Sequence, residues 1–322
     1  MSILVVRRRA AAPARGARRG GARQARGARH IVAAAAIAAG AAVLAACSGA
    51  PASGPPPKAP PKASPNGTGR VSAPPRAGPA WLLTRWALSR LLADSVVREV
   101  LRNSQVYEIL RPGQQPLPGT TAKPVLISGS ARQLQDAVTG GTLPAGSYGL
   151  LYDPEAWSFT PPAEQANPLR ATAQAAAVAH AHGLRLIVAP ALDLTGALAP
   201  GSRGPRWQTF LDLGLVGQLA KVADVIELQA QSLERDTATY AAFVRAATSQ
   251  ARQANPRVTV LAGLSTNPPG GPVDSQHLTS ALRATRTMVA GYWINIPGQG
   301  SRCPGCSAPR PDIAIQVLRE IG

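Results

Sequence analysis

Acids, amides and one indole recur in this 322-residue chain immediately after short apolar runs, where strand ends would present them. Asp153, Pro154, Glu155 and Trp157 follow Tyr148–Tyr152 (YGLLY), and Asp193 follows Arg185–Ala189 (RLIVA). In the run VIELQAQ, Glu227, Gln229 and Gln231 share one parity, while Ile226, Leu228 and Ala230 share the other. Ser265 and Asn267 follow Val258–Leu261 (VTVL), and Trp293 and Asn295 share a parity in Gly291–Ile296 (GYWINI). Strand side chains alternate faces, so if the apolar set packs under helices the polar set points the other way. Carboxylates and amides bond to sugar hydroxyls, and an aromatic face stacks on a sugar ring. Glycosidic hydrolysis needs a carboxylic acid of raised pKa and a second carboxylate, or a substrate group, to stabilise the developing cation. Glu155 is the expected acid. Asp153 is expected to orient a substrate group or to perturb Glu155. Asp193, Glu227, Gln229, Gln231, Ser265, Asn267, Trp293 and Asn295 are expected to bind substrate.

Each of these residues also has a plain structural reading. An Asp before Pro often bonds its own backbone in a loop. Glu155 could sit on the surface, Glu227 could pair with an Arg or Gln, the two Gln could form an amide ladder, and Trp293 could be core. Nothing in the chain cradles phosphate. His180 and His182 stand two apart on an expected helix and diverge, so no metal or other cofactor is expected.

The elements that must position these residues alternate in type. Expected strands are Val106–Leu110, Pro124–Ile127, Tyr148–Tyr152, Arg185–Ala189, Val225–Gln229, Val258–Leu261 and Gly291–Ile296. Expected helices cover Trp81–Asn103, Ala131–Val138, Pro168–His182, Trp207–Ala220, Thr237–Ala254, Ser275–Ala284 and Pro311–Ile321. Short strands alternating with longer helices mean βαβ units and a parallel sheet. With no glycine-rich dinucleotide loop after any strand, a TIM-like (β/α) barrel of seven to eight strands is favoured over a doubly wound sheet. In such barrels the site lies at the carboxyl ends of the strands.

Charge divides the chain. Lys and Arg number 34 against 16 Asp and Glu, a formal +18. Residues 1–80 carry 13 of the basic residues and no acid, leaving 21 against 16 for the rest. The high pI therefore describes the amino end, and no nucleic-acid-binding fold is implied. Few aromatics and abundant Gly and Pro exclude a coiled coil and a disulfide-dense miniprotein. Residues 1–30 are Arg-rich, and Ile31–Ala46 is an uncharged apolar run too short for a comfortable membrane span, which is the layout of an export signal. It ends Leu44-Ala45-Ala46-Cys47, which resembles the lipobox of bacterial lipoproteins. The resemblance implies cleavage before Cys47, diacylation of its sulfur, and a lipid anchor on the extracytoplasmic face of the cell membrane. Two acyl chains give a stable anchor where one is marginal. Residues 47–79 hold 10 Pro among small and polar residues and read as a disordered stalk. Residues 80–322 are then the barrel domain. Cys303 and Cys306 enclose Pro-Gly, and in an oxidising compartment they are expected to form a short-loop disulfide.

The segment Gly149-Leu150-Leu151-Tyr152-Asp153-Pro154-Glu155 resembles the end of the chitinase-type barrel motif, D-G-x-D-x-D-x-E. The resemblance makes Glu155 the acid and Asp153 the residue that assists a substrate acetamido group. Leu151 departs from it, standing where the middle Asp belongs, and Tyr148 stands at the leading Asp. Three functions stay open: a glycoside hydrolase acting on an extracellular or cell-wall polysaccharide, a non-catalytic carbohydrate- or envelope-binding lipoprotein, and a protein-binding envelope scaffold.

Overall fold

A computed structural model of the chain describes residues 78–322. The expectations for the signal segment, lipidated Cys47 and all but the end of the stalk lie outside the described residues. Eight parallel strands close into a barrel in chain order. They are β1 (Ala80–Thr84), β2 (Val106–Leu110), β3 (Lys123–Ser128), β4 (Gly149–Tyr152), β5 (Arg185–Val188), β6 (Val225–Leu228), β7 (Thr259–Ser265) and β8 (Gly291–Asn295). The TIM-like class is therefore the observed one.

Alternation along each strand builds two cores. Leu82, Tyr107, Ile109, Val125, Ile127 and Leu151 belong to the cluster inside the barrel. Residues of the opposite parity, among them Trp81, Leu83, Leu126, Leu150 and Ile226, pack beneath the helices. The lumen is thus filled by side chains, as barrels of this size are.

β1 corrects the expected helix Trp81–Asn103. Both of its faces are buried, Leu82 inward and Trp81 and Leu83 outward. A strand covered on both sides has no polar alternation, so its short apolar run reads like a helix. The helix begins only at Arg85, where the Thr84 hydroxyl accepts the Ala87 N–H at 3.2 Å, and a second helix runs Ser95–Arg102. The expected helix Trp207–Ala220 is also two, Arg206–Asp212 and Leu215–Ala220, broken at Gly214 with φ +61°.

Between β2 and β3 no helix forms, and residues 111–122 cross as a loop. Glu108, fully buried on β2, fastens that loop by accepting the Leu117 N–H at 3.0 and 3.2 Å. At the other end of the barrel a cavity of about 520 Å³ lies below β8, lined by Gly78, Pro79, Arg286, Ala290 and Tyr292. It contains none of the acids at the strand carboxyl ends, so it is not the place where their chemistry would occur.

Candidate functional site

The chain leaves β4 at Tyr152, and the next residue turns into the mouth of the barrel. Asp153 anchors its N–H on Ser128 O at 3.0 Å, and its side chain is 3% exposed. Its carboxylate accepts from Gln229 Nε2 at 2.7 Å, and the same nitrogen donates to Ala189 O at 2.8 Å. Gln229 thus ties together the ends of β4, β5 and β6. Burial pushes the Asp153 carboxyl up to about 7. The Arg302 charge and the Gln229 hydrogen bond pull against that, and the Asp193 charge adds to it.

Glu155 stands two residues on, half-buried, with its N–H on Thr160 Oγ1 at 3.1 Å. Burial first, then the charges of Asp153 and Asp193, drive its carboxyl up to about 9, against the Gln229 hydrogen bond and the Arg302 charge. A carboxyl held in this range keeps its proton at neutral pH and can deliver it to a leaving group. Asp193 lies in the turn Leu192–Leu194 after β5, and its Oδ1 accepts the Ala156 N–H at 2.9 Å. It therefore fixes the backbone beside Glu155 as well as contributing charge.

Glu227 points inward from β6 and is fully buried, with no hydrogen-bond partner for either oxygen among the described residues. Burial, then the charges of Asp153 and Glu155, raise its carboxyl well above the ordinary carboxylate range and favour the protonated form. Its space comes from β7. A Cβ on Gly263 would lie 2.6 Å from Glu227 Oε1 and 2.5 Å from Gln231 Nε2. The β6 strand ends at Leu228, short of the expected Gln229, and Gln231 reaches Gly263 from the turn Gln231–Leu233 instead.

The remaining expected residues divide by occupation. Ser265 is buried, its Oγ accepting the Asn267 N–H at 3.1 Å. Asn267 spends its amide on the loop after β8, donating to Pro297 O at 2.8 Å and Ala308 O at 3.0 Å and accepting from Ser307 Oγ at 2.8 Å. Trp293 is 5% exposed and packs in the inner core, and Asn295 is partly exposed at the end of β8. His180 and His182 do diverge, to Asp224 Oδ2 at 2.9 Å and to Val178 O at 2.9 Å.

Two residues near the mouth had no signal in the strand-end pattern. Glu234 is fully buried behind β7, accepting the Ser265 N–H at 2.9 Å while its other oxygen lacks a partner among the described residues. Arg302, in the loop after β8, stacks on Trp157 and Phe159 of the loop after β4. That loop also contains the disulfide Cys303–Cys306, with Cα atoms 5.3 Å apart.

No protein-family pattern matches the sequence, and no curated protein matches it. Solved structures are similar in fold. A candidate alpha-L-fucosidase from Bacteroides thetaiotaomicron is 11% identical, with a TM-score of 0.47, over 81% of this chain and 100% of that one. A class V chitininase from Pseudomonas fluorescens is 13% identical, with a TM-score of 0.39, over 67% of this chain and 94% of that one. A triosephosphate isomerase from Bartonella henselae is 15% identical, with a TM-score of 0.37, over 67% and 92%. Hydrolases and an isomerase stand together in this set, and the barrel is common to many chemistries.

Proposed function

We propose that the chain is a glycosidase-like barrel that hydrolyses an extracellular or cell-wall polysaccharide and is held at the outer face of the cell membrane by a diacylated Cys47. The observation that carries the catalytic reading is Glu155, a half-buried carboxylic acid beside Asp153 and Asp193 whose raised pKa keeps its proton at neutral pH. In this reading Glu155 gives that proton to the glycosidic oxygen as the bond from the anomeric carbon breaks. The positive charge left on the sugar is met by the Asp193 carboxylate or by a substrate group positioned by Asp153, and water then bonds to the anomeric carbon and returns a proton to Glu155. Gln229 holds Asp153 in place for that contact.

One observation favours binding without cleavage. Leu151 is fully buried in the inner core at the position of the motif's middle Asp, so the relay of acids down the strand is interrupted there.

The test uses the full chain in detergent against an array of envelope and environmental polysaccharides, with binding and new reducing ends read from the same wells. Hydrolysis that falls roughly 10²- to 10⁴-fold in Glu155→Gln, with binding kept, is the expected result. Binding without cleavage would leave a carbohydrate-binding module. Silence in both would leave a scaffold and make the polar ring internal structure.

A further inference from the structure

The proposed hydrolysis leaves one cation at the mouth unused. Arg302 is half-buried, its guanidinium carbon 4.6 Å from the Phe159 ring centre and 5.4 Å from that of Trp157. The two rings meet edge to face, with centres 4.9 Å apart. They belong to the segment that bears Glu155, so the cation is held against the element that carries the acid. Asp153 and Glu155 are the acids near enough to act on it, yet it makes no hydrogen bond or salt bridge with any described residue. The Asp153 carboxylate is turned to Gln229 instead. A second cation, Arg111 beyond the end of β2, is near enough to be felt as a like charge.

Arg302 is also fixed in place from the side of its own backbone. Gly300 and Cys303 exchange both backbone hydrogen bonds, at 3.2 and 3.0 Å, so Ser301 and Arg302 form the tip of a tight turn. The disulfide closes the following turn, and Asn267 fastens the loop on either side. The cation lies over the two rings, and its fork of N–H donors has no acceptor among the described residues. A rigid fork of this kind matches a carboxylate through two parallel hydrogen bonds.

We propose that Arg302 binds the carboxylate of an acidic sugar residue, so that the polymer taken at this mouth is a uronic-acid polysaccharide. The inference rests on the carbohydrate reading above and names its substrate class.

The test is a calorimetric titration of the full chain with a panel of oligouronates, their methyl esters, neutral hexose oligomers and sulfated oligomers. Wild type is expected to bind an oligouronate, and esterification of the carboxylates is expected to weaken binding roughly 10- to 100-fold, the size of a charge-assisted pair. Arg302→Gln should lose a similar factor for the free acid and should no longer distinguish acid from ester, which is the signature of a coupled pair. Arg302→Lys, which keeps the charge and loses the fork, should recover only part of the affinity. The ester comparison uses wild-type protein and so does not depend on how a variant folds. Equal affinity for acid and ester, or an Arg302→Gln variant that still distinguishes them, would overturn the proposal. Sulfated oligomers bound ahead of uronates would overturn the carboxylate assignment. Neutral oligomers alone binding would overturn it while leaving the sugar reading in place. Binding by no member of the panel would overturn the sugar reading beneath it.

Discussion

Glu227 gives the sharpest prediction because its two states differ so much in environment. In the unfolded chain its carboxyl ionises near 4.5. In the fold it is fully buried with no partner for either oxygen, and its pKa is raised well above that value. The folded state therefore binds a proton that the unfolded state releases. Stability from this group is fully present below about pH 4.5 and is lost as pH rises toward the folded pKa. Each pH unit above the unfolded pKa costs about 1.4 kcal/mol while the folded group stays protonated. Over the range in which the folded group stays protonated, each such step is roughly 2–4 °C in Tm for a domain of this size. Glu227→Gln replaces a neutral acid by a neutral amide of the same shape. Thermal unfolding followed by circular dichroism should show the variant and wild type close together at pH 4.5–5. As pH rises from there the variant should become increasingly the more stable of the two. Parallel stability curves, or a variant less stable at pH 8, would refute the claim that a neutral, unpartnered acid sits in the lumen.

Two further outcomes follow from the mouth and one from the amino end. Hydrolysis should persist through neutrality and fall as pH rises through about 9, because Glu155 acts in its protonated form and its carboxyl is raised to about 9; a rate that climbs through that range would remove Glu155 as the acid. Asn267→Ala should cost about 0.5–1.5 kcal/mol by removing its hydrogen bonds to the carbonyls of Pro297 and Ala308, and should make residues 297–310 the first site of limited proteolysis. An unchanged cleavage pattern would mean the disulfide alone holds that loop. Cys47→Ala should release the protein from membranes into the soluble fraction; retention in the detergent fraction would argue against acylation as the anchor.

The barrel was legible where a strand met a helix with a clear change of period. From Val225 to Leu228 the outer residues are apolar and Glu227 is the odd one, so parity alone pointed Glu227 inward. The same logic failed at β1, because Trp81, Leu82 and Leu83 are buried whichever way they face. The acids of the mouth were legible because they follow strands at once, and a strand end fixes direction. Arg302 was not, because a turn of the chain carries it there and its partners, Trp157 and Phe159, lie more than 140 residues away in sequence. Asn267 was readable as a polar residue beyond a strand, but its three bonds to the loop after β8 depend on how that loop folds back.

Carboxyls of two kinds occur in this barrel, and the difference separates support from site. Glu108 accepts the Leu117 N–H twice and replaces a missing helix. Glu164 takes the Ala131 N–H at 2.8 Å, the Ser130 hydroxyl at 3.0 Å and the Tyr152 hydroxyl at 3.0 Å at the start of the helix Ala131–Thr139, where the exposed N–H groups favour an anion. Asp224 accepts from Leu186 N at 2.9 Å, His180 and Arg185, and these bonds outweigh its burial and hold its carboxyl below the ordinary range. Each of these acids is matched by donors and lies outside the inner core. At the mouth the match fails by degrees: Asp153 has one amide, Glu234 has one N–H and an orphan oxygen, and Glu227 has neither. A fold selected for stability alone would fill Gly263 and replace Glu227 with an apolar side chain, since an unpaired buried acid costs more than the leucine that could stand there. Gly263 instead leaves room for the acid, and Arg302 faces the same mouth with its donors unspent. Unspent donors and acceptors gathered at one end of a barrel are what a polar ligand requires.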